Sequence, residues 1–235
     1  INIHSLDYGT YSNYREDKSI KLEDELYLVR AICKKMNVSD GFNLFLHSDV
    51  PPGSGLGLSS TLTVSIIGLI KHLENLPLTD YDIAELAFDI ERNDANVIGG
   101  KQDQYAATFG GFNFMEFLGN RTTVTPLHLR ESVVDELEYR SLLCFTGKLR
   151  QSTTIIRDQM ERYSKMDTEI HDALIESKKI AARMKDSLLT GRLNEFGDLL
   201  NQAWMQKKKF SSMISSPSID AIYDTARKNG ALGGK

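Results

Sequence analysis

Twelve residues constrain this chain more than any other stretch: Val50-Pro51-Pro52-Gly53-Ser54-Gly55-Leu56-Gly57-Leu58-Ser59-Ser60-Thr61. The apolar run at 42–47 before them reads as a strand, and Leu62, Ile66, Leu69 and Leu73 after them recur at helical spacing. A strand, a glycine-rich loop and a helix opened by serines make a phosphate cradle. Glycine lets backbone N–H groups approach the anion, and a helix N-terminus offers unpaired donors in a favourable dipole. The stretch therefore predicts a nucleotide-phosphate loop of a small-molecule kinase.

Bulk properties narrow the partners. The 235 residues suit one large domain or two modest ones, with 41% hydrophobic and 26% charged residues. A net charge of −4 supplies no global basic field, so nucleic acid and anionic membrane are not expected partners. Local groups must hold any phosphate. Cys33 and Cys144 match no metal-ligand spacing, and His4, His47, His72, His128 and His171 form no cluster, so neither a histidine metal site nor a Ser-His-Asp triad is expected. Two lone thiols, no visible signal peptide and no apolar run near the ~20 residues of a membrane span predict a soluble, cytoplasmic protein. The chain starts at Ile1 and stops in the glycine-rich Gly230-Ala231-Leu232-Gly233-Gly234-Lys235, so a segment is expected to be missing at each end.

Along the chain, residues 1–17 read as a strand and a loop, and 22–36 as an amphipathic helix. The helix at 59–73 is apolar on most sides and is expected to be deeply buried. Thr79 looks like an N-cap with Asp82 in the reciprocal position, and Ile83, Leu86, Ala87 and Ile90 give that helix its inner stripe. Residues 93–105 read as irregular. Strands are predicted at 112–117, 122–125 and 138–145, followed by a break at Thr146-Gly147. From Ser152 onward the pattern is helical, with stripes Ile170, Leu174, Ser177, Ala181, Met184, Leu188 and then Leu193, Phe196, Leu199, Leu200, Ala203, Trp204. Ile219, Ile222 and Tyr223 open a last helix. The domains are accordingly placed at 1–147, α+β, and 148–235, largely helical.

Three phosphate loops compete for residues 51–61. A Walker loop needs Lys and then Ser or Thr after its last glycine, but Leu58 follows Gly57. A dinucleotide loop needs another glycine spacing and an acidic residue closing a second strand, and Glu74 sits at a helix end. The third pattern, Pro-x-x-x-Gly-Leu-Gly-x-Ser-Ser, resembles the phosphate loop of the GHMP small-molecule kinases. Gly99-Gly100-Lys101-Gln102-Asp103-Gln104-Tyr105-Ala106-Ala107, Gly110-Gly111-Phe112-Asn113-Phe114 and the glycine-rich ending are similar to the D-glycero-D-manno-heptose phosphate kinase branch of that family. The resemblance covers most of the chain. It departs at Leu58, where the family usually has Ser, and this predicts tuning of phosphate binding rather than its loss.

The resemblance implies an α+β GHMP kinase fold: an N-terminal domain like domain 2 of ribosomal protein S5, a helical, ferredoxin-like C-terminal domain, and an active site between them. It implies ATP and Mg²⁺. Pro52, Gly53, Ser54, Gly55, Leu56, Gly57, Leu58, Ser59 and Ser60 would hold the nucleotide, with Ser59 and Glu91 as Mg²⁺ ligands. Asp103 would face the acceptor hydroxyl. An ordinary aspartate carboxylate, pKa ~3.9, is a weak base for an alcohol, so its part is to orient the nucleophile and take the proton late. Lys101 would offset charge on the transferring phosphate, and Arg92 and Arg150 are candidates for the substrate phosphate. Blander readings stand beside these: Glu91 as a solvated helix-end carboxylate, Asp103 as an N-cap, and the cations and the Lys207-Lys208-Lys209 run as solvated surface. The expected reaction is phosphorylation of O1 of D-glycero-D-manno-heptose 7-phosphate by a monomer or homodimer. The alternatives are a fucose or galactose kinase, a non-catalytic sugar-phosphate-binding regulator, and a helical interaction module.

Overall fold

The computed structural model describes residues 1–13, 26–38, 41–119, 121–147, 152–165 and 167–235. The chain divides into two compact units, one built on Ile1–Gly111 and the other on the chain from Phe112 onward.

In the first unit, β1 (Asn2–Ser5) lies centrally between β2 (Thr10–Asn13) and β3 (Asn43–Leu46). It runs antiparallel to β2, with Ile3 opposite Ser12, and parallel to β3, with Ile3 opposite Leu44. Strand β2 sits in the stretch expected to be loop, because Thr-Tyr-Ser-Asn carries no apolar alternation to announce it. A parallel neighbour requires a crossover, and this one contains α1 (Tyr27–Lys35). The helix expected from residue 22 lies outside the described residues at its start. Helices α2 (Leu58–Leu73), α3 (Asp80–Asp89) and α4 (Gln102–Phe109) complete the unit, with a single π-helical turn, Ile90–Asp94, continuing α3. Ile3, Val29, Ile32, Leu44, Ile67, Ile70 and Ile90 form the core.

Two expectations change here. Helix α2 is buried on one face, through Ser60, Thr63, Ile66, Ile67 and Ile70, whereas Leu69 and Leu73 are 40% and 56% exposed. The buried Thr63 hydroxyl donates to the Ser59 carbonyl at 2.9 Å, so it costs the core little. The stretch expected to be irregular carries α4, a helix too short to show a periodic stripe. Thr79 caps α3 as expected. Its hydroxyl accepts from the Asp82 N–H and its own N–H donates to the Asp82 carboxylate.

The second unit begins with the antiparallel hairpin β4 (Asn113–Leu118) and β5 (Arg121–Pro126). Helices α5 (Glu131–Arg140), α6 (Ser152–Ser164), α7 (Thr168–Leu189), α8 (Leu193–Phe210) and α9 (Pro217–Lys228) follow. The strand expected at 138–145 does not form. Val133 buries against Leu188 and Leu193 with Leu137 beside it, and this (i, i+4) anchoring makes 131–140 helical. Residues 141–147 then run without secondary structure, leaving Leu142 97% and Leu143 83% exposed. The same packing places α5 with the second unit, and Lys185 Nζ lies 4.7 Å from the centre of the Phe114 ring on β4. The break between units therefore falls at Gly111, ahead of the Thr146-Gly147 punctuation.

On α7 the buried side is Ile170, Ala173, Ile180, Ser187 and Leu188, so the expected stripe through Leu174 and Met184 drifts onto its flank. On α8 Leu193, Leu199 and Trp204 are buried as expected. Among the described residues no helix is long and apolar enough to cross a membrane.

Candidate active site

The loop before α2 is built on left-handed glycines. Gly53, Gly55 and Gly57 have φ of +78°, +79° and +74°, a region that residues with a β-carbon rarely adopt. Ser54 N–H donates to the Pro51 carbonyl at 3.2 Å, closing a turn. Gly57 is the N-cap of α2 and no side chain caps the helix. The N–H groups of Leu58, Ser59 and Ser60 thus lie in a first turn that helix geometry leaves without intrahelical acceptors. Two serines at the same helix start face opposite ways: Ser60 is buried and Ser59 exposed. The hydroxyl of Ser54 is buried with no partner.

Leu58 is half-buried and lines a cavity of about 570 Å³ together with Tyr27, Leu44, His47, Ser59 and Leu62. Its side chain is part of an apolar wall. The volume falls in the ~300–1,000 Å³ range of small-molecule sites. Nothing in the sequence singled out Tyr27 or Leu44, because each reads as an ordinary core residue of α1 or β3.

Asp103 comes to the same loop. It sits in the first turn of α4, whose N-cap is Lys101, so Asp103 is no cap. A β-carbon placed on Gly57 would lie 3.8 Å from the Asp103 Cβ and Cγ and 4.0 Å from its Oδ2. That is ordinary van der Waals spacing, so the carboxylate stands within about one side-chain atom of the N-cap of α2. Its neighbour Gln104 is fully buried, with neither amide atom partnered.

Glu91 is 1% exposed, which removes its reading as a solvated helix-end carboxylate. It lies in the π-helical turn, where Oε2 is 3.4 Å from Arg92 Nη1 and Oε1 has no partner. Burial, and after it the Glu91 charge, pushes the Tyr27 hydroxyl above its ordinary pKa. Glu91 is therefore electrostatically coupled to the cavity wall.

A buried carboxylate oxygen without a partner, on Glu91, and an exposed hydroxyl, on Ser59, are each the type of donor that suits a hard cation. Among the described residues no group of three or more His, Cys, Asp or Glu can hold a metal on its own. A cation here would share its shell with phosphate oxygens.

The two flanking cations are already engaged. Lys101 Nζ donates to both Glu85 oxygens at 2.8 Å and lies 4.9 Å from the centre of the Phe88 ring. Tyr105 Oη donates to Glu85 Oε1 at 2.6 Å. Arg92 donates to three loop carbonyls: Nε to Gly99 at 3.0 Å, Nη1 to Val97 at 2.8 Å and Nη2 to Gly100 at 2.7 Å. These bonds tie the guanidinium that was expected on a substrate phosphate to the loop at 97–100. Arg150 lies outside the described residues.

Glu85 was not foreseen, being one more charge on an amphipathic helix. Burial alone would raise its carboxyl, but the bonds from Lys101 and Tyr105 outweigh that and hold it below the ordinary range. A lowered folded-state pKa stabilises the fold fully above the unfolded value of ~4.3, and the gain is lost as pH falls through the folded value. Glu85→Gln should therefore lower the unfolding midpoint at pH 7 and narrow its gap to wild type below pH 4, read by thermal melts across pH.

The model of the GHMP kinases N terminal domain matches residues 25–111, and that of the GHMP kinases C terminal matches 169–235. A D-glycero-alpha-D-manno-heptose 7-phosphate kinase of Campylobacter jejuni is 38% identical over the whole chain, which spans 70% of that protein. The crystal structure of a D-glycero-D-manno-heptose 1-phosphate kinase from Bacteroides thetaiotaomicron superposes with a TM-score of 0.74 at 33% identity, over 100% of this chain and 68% of that one. A bifunctional fucokinase/GDP-fucose pyrophosphorylase of Arabidopsis thaliana is 26% identical over 87% of this chain, which spans 20% of it.

Proposed function

Because the chain belongs to the GHMP kinase family, we propose that it transfers the γ-phosphoryl group of ATP to O1 of D-glycero-D-manno-heptose 7-phosphate. The family fold and a phosphotransferase reaction on an alcohol acceptor are its premises; the acceptor and the residue roles are the proposal. The observation that carries it is the carboxylate of Asp103 resting against Gly57, the N-cap of the phosphate loop's helix.

In this reading the glycine loop and the first-turn N–H groups of α2 hold the nucleotide phosphates, and the cavity walled by Leu58, Tyr27 and Leu44 takes the nucleoside. Ser59 and Glu91 would hold Mg²⁺, which when bound offsets charge on the phosphoryl group. Asp103 orients the sugar O1–H. As the O1–P bond forms and the bond from phosphorus to the ADP oxygen breaks, the O1 proton passes to the Asp103 carboxylate and ADP leaves. Lys101, held by Glu85 beside the start of α4, adds positive potential there.

The two heptose kinases differ in name over the phosphate already present on the sugar, position 7 or position 1. The Arabidopsis relative keeps a fucose kinase as the second reading. One panel separates them. The complete protein is incubated with Mg-ATP and heptose 7-phosphate, heptose 1-phosphate, fucose or galactose, and products are read by phosphorus NMR. A new anomeric phosphate on heptose 7-phosphate is expected. Turnover of free fucose or galactose, with none of either heptose phosphate, overturns the assignment.

A further inference from the structure

Glu91 and Asp103 stand twelve positions apart in this chain, and one side chain meets the first carboxylate and the loop that leads to the second. Arg92 follows Glu91 in the π-helical turn, an element that recurs at functional sites because it disturbs the regular spacing of a helix. Its guanidinium is bonded to carbonyls of residues 97, 99 and 100, immediately before Lys101 starts α4 and Asp103 enters its first turn. One nitrogen of the same group, Nη1, lies 3.4 Å from Glu91 Oε2. The side chain is only 15% exposed.

We propose that Arg92 is a positioning residue for phosphoryl transfer: its planar fork fixes the loop at 97–100 and so sets where Asp103 stands relative to Glu91. The inference rests on the kinase reading above.

The physical argument concerns geometry more than charge. Glycines at 99 and 100 leave the loop backbone free to take many conformations, and each of those carbonyls needs a donor to hold one of them. A guanidinium offers five N–H donors in a rigid plane, so it can bind three carbonyls and a carboxylate together. A lysine ammonium keeps the charge but presents three donors on one atom, which cannot span carbonyls of residues 97, 99 and 100. Gly99 is required for the same reason. A β-carbon there would lie 2.7 Å from Arg92 Nη2 and 3.0 Å from its Cζ, so any larger residue displaces the fork. Arg92 Cζ also lies 5.2 Å from the centre of the Phe88 ring, a cation–π contact that helps to hold the group in place. Three carbonyl bonds and the Glu91 contact engage four of the five donors, so the group is committed mainly to the loop and to Glu91.

Three variants test the proposal by steady-state kinetics. Arg92→Lys and Gly99→Ala are each expected to lower kcat by about 10- to 100-fold while KM for ATP and for the sugar stays within about threefold, because misplacing the proton acceptor affects the reaction more than binding. Gly99→Ala leaves Arg92 intact, so it decides the matter even where Arg92→Lys folds poorly. Arg92→Ala should regain part of its kcat on addition of guanidinium ion at sub-denaturing concentration, a readout that lost packing alone would not move. A kcat within twofold of wild type for both Arg92→Lys and Gly99→Ala overturns the proposal. So does a raised KM for the sugar phosphate with kcat unchanged, which would make Arg92 a substrate ligand. If the wild-type protein phosphorylates none of the four sugars, the kinase reading itself falls; an active wild type with indifferent variants removes only the role of Arg92.

Discussion

Asp103→Asn is expected to lower kcat by about a thousandfold at saturating ATP and sugar, in line with the ~10²–10⁴ that a positioned proton acceptor contributes. Asparagine keeps the size and the helix-start position of the side chain but cannot take the O1 proton. It also swaps a charged group in the first turn of α4 for a neutral one, a change worth ~0.3–1 kcal/mol to the helix. The variant should therefore fold, melt near wild type and still be protected by Mg-ATP. Steady-state rates and a melt with and without nucleotide separate these quantities. Unchanged ATP consumption would remove Asp103 from the reaction; lost protection would place it in nucleotide binding instead.

Gly57→Val should abolish nucleotide protection. The position has φ +74°, and forcing an L-residue into that region costs on the order of 1–2 kcal/mol. The new β-carbon would also stand in van der Waals contact with Asp103, at 3.8 Å, with two methyl groups still to place. Relief requires the loop to turn, which moves the first-turn N–H groups away from any bound phosphate. In wild type, a nucleotide at ~100 times its Kd adds ~2.7 kcal/mol to the stability of the native state and raises the melting point accordingly. In the variant that rise should vanish, with kcat/KM for ATP down by about 100-fold or more. A full rise with Gly57→Val would show that the phosphates bind elsewhere. No rise in wild type would favour the helical interaction module.

The loop was legible because its chemistry is local: glycines at 53, 55 and 57 and serines at 59 and 60 announce the cradle whatever surrounds them. Glu91 and Asp103 could be named, but only the fold shows that one is buried with an orphaned oxygen and the other lies on Gly57. The bonds of Arg92 to loop carbonyls and of Lys101 to Glu85 were not legible, because a sequence does not disclose which carbonyl or carboxylate a cation meets. The element errors have the same origin. Residues 138–145 look like a strand by composition, and a contact more than fifty residues away, Val133 with Leu188, pulls their first part into α5. Strand β2 is specified by pairing with β1 and by little of its own.

The uncovered ribbon after α5 has a practical side. Leu142, Leu143, Cys144 and Phe145 carry no charge and no proline, and all four side chains meet water. Short uncharged apolar segments with free backbone donors and acceptors are where copies of a chain adhere edge to edge. The exposed Cys144 thiol can then turn a transient encounter into a covalent one on oxidation, whereas Cys33, buried and with its thiol pushed up to about 11, takes no part. Purified material should therefore age through this ribbon first: reductant delays the dimers, and Leu143→Lys removes the precipitation that reductant cannot.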